Sequence, residues 1–184
     1  MTVEGQETEW VRRSCAGDAG AFGHLVERYR SRLLTAVTRS VGQQSVAEDI
    51  VQEAFVRAFE AMSRFQGRSS FYTWLYRIAF NLVASKSRRE RSRPNPGGPI
   101  PVDEVQASES MNPRAQAEAE EQRQLIRQAI SDLPEIFRLP LVLRDIEGMN
   151  YDQISEVLRL PTGTVKSRIH RARMELRDRL RDLL

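Results

Sequence analysis

Apolar residues recur along most of this chain at the spacings of amphipathic α-helices. The clearest stretch is Val46–Met62, whose apolar residues are Ala47, Ile50, Val51, Ala54, Phe55, Ala58, Phe59 and Met62. Similar patterns predict helices over about 18–40, 71–90, 115–133, 135–146, 151–158 and 162–180. No stretch alternates apolar and polar residues as a strand does. We therefore predict an all-α fold.

The helical pattern stops between about residues 92 and 114. The proline- and glycine-rich segment Pro94–Pro101 interrupts any helix, and no periodicity resumes before about Pro113. We interpret 92–114 as a flexible linker between two small helical domains, residues 1–91 and 115–184. The alternative is a long ordered loop inside one domain, which is less favoured because structureless loops of about 20 residues are unusual in compact domains.

Charge divides the chain into basic, acidic and basic segments. Residues 86–93 carry a net charge of +4, residues 101–121 a net of −5 and residues 159–184 a net of +5, within an overall charge of +3. Arginine supplies 26 of the 28 basic residues. Arginine suits bidentate contacts to phosphate and guanine and stacks on bases, although genome composition explains such a bias equally well. The segments predict a nucleic-acid partner and an acidic linker.

Cysteine and histidine are too sparse for several kinds of site. Cys15 is the one cysteine, so no disulfide framework or zinc site is expected, which fits a reducing compartment.

The acidic N-terminus is unlike a signal peptide, and no apolar run is long enough to span a membrane. No nucleophile–histidine arrangement or phosphate loop is present. We expect a cytoplasmic protein that is not an enzyme, with no catalytic residues, no metal and no cofactor.

The helix over Val46–Met62 has a polar face opposite its apolar one. That face carries Glu48, Asp49, Gln52, Glu53, Arg57 and Glu60. A solvated surface is the default explanation for such a face. Docking of a basic partner helix is the functional alternative, and the pattern alone favours the solvated surface.

An aromatic stretch precedes and enters the helix that starts near Phe71. Trp74, Leu75 and Ile78 fall on its core stripe. Nearer the other face lie the residues Tyr72, Tyr76, Arg77, Asn81 and Lys86, which offer base stacking, base-edge reading and phosphate neutralisation. The preceding loop, residues 66–70, has the small residues to line a pocket for one extruded base. A polar turn between helices is an equally weighted alternative.

A helix-turn-helix pattern lies near the C-terminus. Tyr151–Leu158 is followed by a short turn and a basic helix from about Thr162. Its buried stripe is Val165, Ile169, Ala172, Leu176 and Leu180, and its exposed first turns present Lys166, Ser167, His170 and Arg171, flanked by Arg168 and Arg173. A recognition helix reads bases with its first turns. Arg173 is expected to lean toward the buried side and contact phosphate. A basic hairpin for protein contact is the less favoured alternative.

Several of these segments together resemble extracytoplasmic-function sigma factors, most closely the sigma-E type. The matching stretches are Asp49–Phe59, Phe71–Asn81, Leu133–Pro134, Tyr151–Ile154 and Pro161–Arg173. The resemblance implies sigma domain 2 and sigma domain 4, joined by the acidic linker threading toward the polymerase cleft. Two positions depart from the usual pattern and bear on promoter specificity: Arg68, where an acid is frequent, and His170, where an aromatic is common.

The resemblance also implies partners and site residues. Core RNA polymerase would be bound through its beta-prime clamp helices and beta flap, promoter DNA as duplex and single strand, and an anti-sigma factor would hold the protein inactive. Residues implied for core-polymerase binding are Asp49, Gln52, Glu53, Phe55, Val56 and Phe59. Those implied for the minus-ten element are Phe65, Gly67, Arg68, Ser69, Ser70, Tyr72, Trp74, Tyr76, Arg77, Asn81 and Lys86. Those implied for the minus-thirty-five element are Thr164, Lys166, Ser167, Arg168, His170, Arg171 and Arg173.

An ordinary helix-turn-helix regulator with a helical effector domain is the rival interpretation. It leaves two features without a purpose, the aromatic stretch over residues 65–81 and the acidic face over Asp49–Phe59. A sigma factor accounts for both.

Overall fold

The computed structural model describes residues 3–91 and 113–183, and every regular element within these two ranges is helical. The α-helices in chain order are α1 (Val3–Cys15), α2 (Ala19–Val41), α3 (Gln44–Ala61), α4 (Phe71–Arg91), α5 (Pro113–Ser131), α6 (Glu135–Leu141), α7 (Tyr151–Leu158) and α8 (Thr162–Leu183). A 3₁₀ turn, Met62–Arg64, follows α3, and a π turn, Val142–Ile146, follows α6. The all-α prediction is confirmed. Most of the predicted linker lies outside the described residues.

The N-terminal half is built from α2, α3 and α4, with α1 packed on α2. Asp18 starts α2, because its carboxylate accepts a hydrogen bond of 3.0 Å from the backbone N–H of Ala21. Gly42 ends α2 with φ +78°, a left-handed conformation that glycine adopts without strain. The chain can therefore reverse within a few residues and lay α3 against α2. Leu33 and Leu75, from α2 and α4, are fully buried.

Helix α1 was not predicted from the sequence. Its contacts with α2 include the Trp10 ring, which stacks on His24 with ring centres 5.0 Å apart. Glu7 forms an ion pair of 3.0 Å with Arg28 of α2. These contacts come from a helix with too few apolar residues to show a clear periodicity.

The C-terminal half contains the predicted helix-turn-helix, α7 and α8. Asn150 and Gln153 form a capping box at the start of α7, each side chain accepting a 2.9 Å hydrogen bond from the other's backbone N–H. Arg159 ends α7 in the left-handed region at φ 53°. Before these helices, Pro140 lies inside α6, and the π turn follows it. Proline removes a backbone donor and crowds the preceding turn, which accounts for the altered helical geometry there.

The two halves pack together along α4. One cluster of buried apolar residues runs without a break from Phe22 of α2 to Ile169 of α8. α4 contacts α7, and α2 contacts both α5 and the π turn. The two small domains predicted from the sequence are thus in direct contact in this structure.

Candidate functional site

The polar face of α3 is exposed, as the sequence pattern predicts. Asp49, Gln52 and Glu53 face solvent, and they are accompanied by two large apolar side chains, Val56 (51% exposed) and Phe59 (42% exposed). An acidic surface that also exposes apolar area has the chemistry to receive a basic amphipathic partner.

Phe55 does not belong to that exposed face. It is buried, and its ring meets Phe22 edge-on with centres 6.4 Å apart. In this structure Phe55 therefore does not lie on the surface that the predicted polymerase contact would need. In an α-helix, residues 55 and 56 point about 100° apart, so an α3 face that includes Val56 turns Phe55 into the core.

The loop before α4 is largely open to solvent. Gln66, Gly67, Arg68 and Ser70 are exposed, and Ser69 is half-buried. Gly67 has φ +65°, which glycine adopts without strain. The Ser70 hydroxyl accepts a hydrogen bond of 3.1 Å from the backbone N–H of Thr73 and so caps α4. This fixes the end of the loop at the helix N-terminus.

The half-buried rings of Phe65 and Trp74 flank this loop. Their centres are 5.0 Å apart, and both rings also contact the buried Phe71. The two aromatic residues therefore join the loop to the core.

Along α4 the residues predicted to lie nearer the DNA-facing side differ in exposure. Asn81 is exposed and Tyr72 is half-buried, but Tyr76 is completely buried. The Tyr76 hydroxyl donates a hydrogen bond of 2.5 Å to Oε2 of Glu147 in the C-terminal half. Tyr76 does point away from the apolar stripe of its own domain, yet residues after the linker cover it. The side of α4 that carries Tyr76, predicted to offer a surface for DNA, is therefore covered at this residue in the structure.

The environment of these tyrosines keeps them protonated. Burial, with the Glu147 carboxylate adding to the effect, raises the pKa of both Tyr72 and Tyr76 well above the usual tyrosine range. Both hydroxyls therefore remain hydrogen-bond donors to Glu147, at 3.0 Å from Tyr72 and 2.5 Å from Tyr76.

Two further basic residues of α4 were predicted to face DNA. Arg77 forms an ion pair of 2.8 Å with Glu156 of α7. Lys86 is half-buried and lines a groove between α3 and α4, together with Asp49, Glu53 and Arg57 of α3. Lys86 thus lies beside the polar face of α3, while Arg77 is turned to the C-terminal half.

The first turns of α8 form an exposed basic surface. Lys166, Ser167, His170 and Arg171 are exposed, Thr164 and Arg168 are half-buried, and Val165, Ile169 and Ala172 are buried beneath them. This matches the predicted arrangement of the first turns of the recognition helix, with exposed polar residues above a buried apolar stripe. The Lys166 ammonium lies 5.4 Å from the centre of the Tyr151 ring, a cation–π contact that restrains it near the helix N-terminus.

Arg173 does not lean toward the buried side as expected. Its guanidinium is exposed and makes two hydrogen bonds to Asp145 on the π turn, of 3.0 and 2.5 Å. The hydrogen bonds to Asp145 raise the pKa of Arg173. The π turn is thereby tied to the recognition helix.

No helix in the ranges 3–91 and 113–183 is long and apolar enough to cross a membrane. Within the same part of the chain, no three side chains of histidine, cysteine, aspartate or glutamate lie close enough together to hold a metal ion.

Comparison with known proteins identifies the class to which this arrangement belongs. Residues 25–93 match the family Sigma-70 region 2, and residues 123–176 match the family Sigma-70, region 4. The chain is 37% identical to the RNA polymerase sigma-H factor of Pseudomonas aeruginosa, with 100% of this chain and 98% of the relative covered. It is 38% identical to the ECF RNA polymerase sigma-E factor of Escherichia coli K12, over 95% of this chain and 94% of the relative.

Solved structures share the fold. CnrH in complex with the cytosolic domain of CnrY aligns with a TM-score of 0.70 at 26% identity, covering 96% of this chain and 98% of that one. The sigma factor RpoE in complex with the anti-sigma factor NepR from Bartonella quintana aligns with a TM-score of 0.71 at 22% identity, covering 87% and 96%.

These matches define a sigma-70-type transcription initiation factor with regions 2 and 4. The chain belongs to the extracytoplasmic-function sigma factors. It binds core RNA polymerase and directs sequence-specific promoter recognition, DNA melting and transcription initiation.

Proposed function

We propose that this sigma factor divides its work among three surfaces: α3 for core polymerase, the 65–70 loop with α4 for the minus-ten element, and α8 for the minus-thirty-five element. The observation that carries the proposal is the exposure of Val56 and Phe59 beside Asp49 and Glu53 on α3. A regulator that binds DNA alone has no use for such a surface, whereas a protein that docks on polymerase requires one.

On α3, the docking residues are Asp49, Gln52, Glu53, Val56 and Phe59. The acidic and amide side chains pair with a basic helical partner, the beta-prime clamp helices, while the two apolar side chains supply buried area at the centre of the contact. Phe55 supports this face from below by packing on Phe22. It acts through the helix and not through direct contact.

At the minus-ten element, the exposed loop residues Gln66–Ser70 enclose one extruded base. Base extrusion costs a few kcal/mol, and stacking and hydrogen bonds in the pocket offset that cost. Phe65 and Trp74 hold the loop against the core. Asn81 is exposed on α4 and reads the non-template strand, with Lys86 neutralising phosphate. Tyr72, Tyr76 and Arg77 join this surface when the C-terminal half moves away.

At the minus-thirty-five element, α8 enters the major groove with its N-terminal turns. Lys166, Ser167, His170 and Arg171 face the bases, while Thr164, Arg168 and Arg173 lie beside them. Arginine bonded to both acceptors of guanine contributes about 1–3 kcal/mol of discrimination. The remaining faces of the C-terminal half are available to the beta flap.

The same assignment implies roles for the two domains and the linker, control by an anti-sigma factor, and a location for the protein. Residues 1–91 and 115–184 act as the two sigma domains, and the acidic segment 92–114 threads toward the polymerase cleft. Control by an anti-sigma factor is supported by the two solved relatives, since RpoE of Bartonella quintana is bound to one and CnrH to a cytosolic domain of CnrY. The protein acts in the cytoplasm and has no catalytic centre of its own.

Transcription in vitro with core polymerase on a promoter library tests the proposal as a whole. Enrichment of templates with two conserved elements at a fixed spacing is expected. A protein that binds duplex DNA but supports no initiation would instead be a helix-turn-helix regulator.

The loop is tested by shortening residues 66–70. This change should reduce transcription from duplex promoters more than from templates already melted at the minus-ten region. Equal loss of transcription on both templates would show that the loop has no role in strand separation.

A further inference from the structure

The groove between α3 and α4 has walls of opposite charge. Its volume is about 490 Å³. Asp49 and Glu53 line it from α3, and Lys86 and Arg89 line it from α4. Arg57, the last α3 residue in the groove, is held by Glu53 in an ion pair of 2.5 Å. The α3 wall is therefore acidic on balance, whereas the α4 wall is basic.

These opposite charges do not neutralise each other across the groove. The side chains of Asp49, Lys86 and Arg89 make no hydrogen bond or ion pair with any group that the structure describes. The ion pair of Glu53 stays on its own helix. Two oppositely charged walls that line one groove without bonding to each other leave room between them for side chains of a partner.

The groove continues the exposed face of α3. Asp49, Glu53 and Val56 follow one another at spacings of four and three, so they lie along one stripe of the helix. Val56 is 51% exposed. A partner helix that covers Val56 and passes along this stripe therefore also reaches the groove and its second wall on α4.

The charges of the two walls restrict the kind of partner that fits. Phosphates of a nucleic acid would be repelled by Asp49 and Glu53, and a uniformly basic helix would be repelled by Arg89. A segment that carries both signs is compensated on both walls. Ile50 and Leu82 are buried at the base of the groove, which suits the aliphatic stem of a lysine or arginine side chain.

We propose that the polymerase helix docked on α3 places two oppositely charged residues in this groove: a lysine or arginine against Asp49 and Glu53, and an aspartate or glutamate against Arg89. This inference rests on the proposed function of α3. Arg89 becomes a polymerase contact supplied by α4, a helix otherwise assigned to DNA. Because the walls differ in sign, only one orientation of the partner pairs both charges, and the reverse orientation opposes like charges.

The test reverses the charge of Arg89 in the full chain and measures affinity for core polymerase without DNA. Arg89→Glu should weaken binding about tenfold, because the acidic residue of the partner then faces a like charge. The matched control is Arg88→Glu, at an exposed residue that does not line the groove and points about 100° away on α4. Both variants have the same net charge, so a general electrostatic effect changes their affinities equally.

A double variant separates a paired groove from a dependence on net charge. Glu53→Arg with Arg89→Glu has the net charge of the wild type, but the signs of its two walls are exchanged. The proposed pairing predicts weaker binding than for either single variant, since both partner residues now face like charges. Thermal denaturation shows whether the variants remain folded.

Three outcomes would overturn the inference. One is equal affinity of Arg89→Glu and Arg88→Glu for core polymerase, and another is recovery of affinity in the double variant. The third is an unchanged core affinity of Arg89→Glu with weaker promoter binding by its holoenzyme, which would give the basic wall to DNA. Failure of the α3 docking face itself is recognised separately, because Glu53→Arg alone would then bind core polymerase as tightly as the wild type.

Discussion

Two arginines of the recognition helix differ in their surroundings. Arg171 is exposed on the face that presents Lys166 and His170, whereas Arg173 is held by two hydrogen bonds to Asp145. A side chain on the reading face suits contact with base edges. A side chain at the flank of that face, such as Arg173, suits contact with phosphate, which positions the protein on DNA without reading the bases. The two residues should therefore differ in the kind of effect that their loss produces.

Arg171→Ala should relax base preference at one or two positions of the minus-thirty-five element. On the preferred site the expected cost is about 1–3 kcal/mol, because a bidentate contact to guanine is removed. A promoter-library selection measures both effects. Arg177→Ala, an exposed change further along α8, serves as the control. Unchanged base preferences for Arg171→Ala would refute the proposed reading face.

Arg173→Ala should weaken binding to all promoter sequences about equally and make the salt dependence shallower, because one phosphate contact is lost. Asp145→Asn should strengthen binding to all promoter sequences about equally, since it weakens the ion pair that competes with phosphate for Arg173. The exposed pair itself contributes only about 0–1 kcal/mol to stability, so neither variant should unfold. Affinity measured over a salt series checks this. A change in base preference for Arg173→Ala would contradict the assignment.

Individual helices show which features of the fold can be predicted locally. The capping box at Asn150 and the left-handed glycine at Gly42 mark helix ends, and the predicted bounds of α7 agree with the observed ones. Helix α1 was missed, because its apolar residues are too few to set a pattern. The exposed faces of α3 and α8 followed from helical periodicity, which relates residues three and four apart.

Asn150→Ala should destabilise the C-terminal half by about 1 kcal/mol, because the N-cap of α7 loses the bond to the Gln153 backbone. Asn150→Ser retains a capping oxygen and should remain close to the wild type. Urea denaturation of the three proteins checks this. Equal stability of the alanine and serine variants would show that the box contributes nothing measurable.

Glu53→Arg should weaken binding to core polymerase at least tenfold while leaving the fold intact, since like charges placed in an interface cost several kcal/mol. The ion pair of Glu53 with Arg57 is exposed, so its loss costs little. Affinity for core polymerase is the measurement, and Glu27→Arg on exposed α2 surface is the control. Unchanged affinity would show that α3 is not the docking face.

Across the whole molecule, long-range contacts limited what could be predicted. Tyr76 and Glu147 lie 71 residues apart, and nothing in the pattern around either residue indicates the other. The helix α4 was correctly placed, with Asn81 exposed and Leu75 buried. The covering of Tyr76 depends on how two domains meet, and helical periodicity carries no information on that. On α3, Phe55 was assigned to the docking face although it was already recognised as part of the apolar stripe, and the structure buries it.

Stability should fall at alkaline pH, and Tyr76 should account for part of the loss. The folded chain holds the pKa of Tyr76 above the value of about 10 in the unfolded chain. The contribution of Tyr76 to the free energy of unfolding is therefore complete below pH 10. It declines as the pH rises above 10, at up to about 1.4 kcal/mol per pH unit. Tyr72 and Tyr29 act in the same direction, burial raising the pKa of Tyr29 to about 12.

Urea denaturation between about pH 9 and pH 11.5 checks this prediction around the tyrosine pKa. Tyr76→Phe should have a shallower decline than the wild type, because the titrating group is absent. A decline of equal slope in both proteins would contradict it.

The continuous core has a consequence for the halves when they are made as separate chains. Alone, residues 1–91 would turn Tyr76 and Phe80 toward water, and residues 113–184 would leave Glu147 without its three donors. Each fragment would thus carry a surface that matches the other in shape and charge. Mixed in solution, the two fragments would assemble into a noncovalent heterodimer, with the peptide connection dispensable for their recognition of each other.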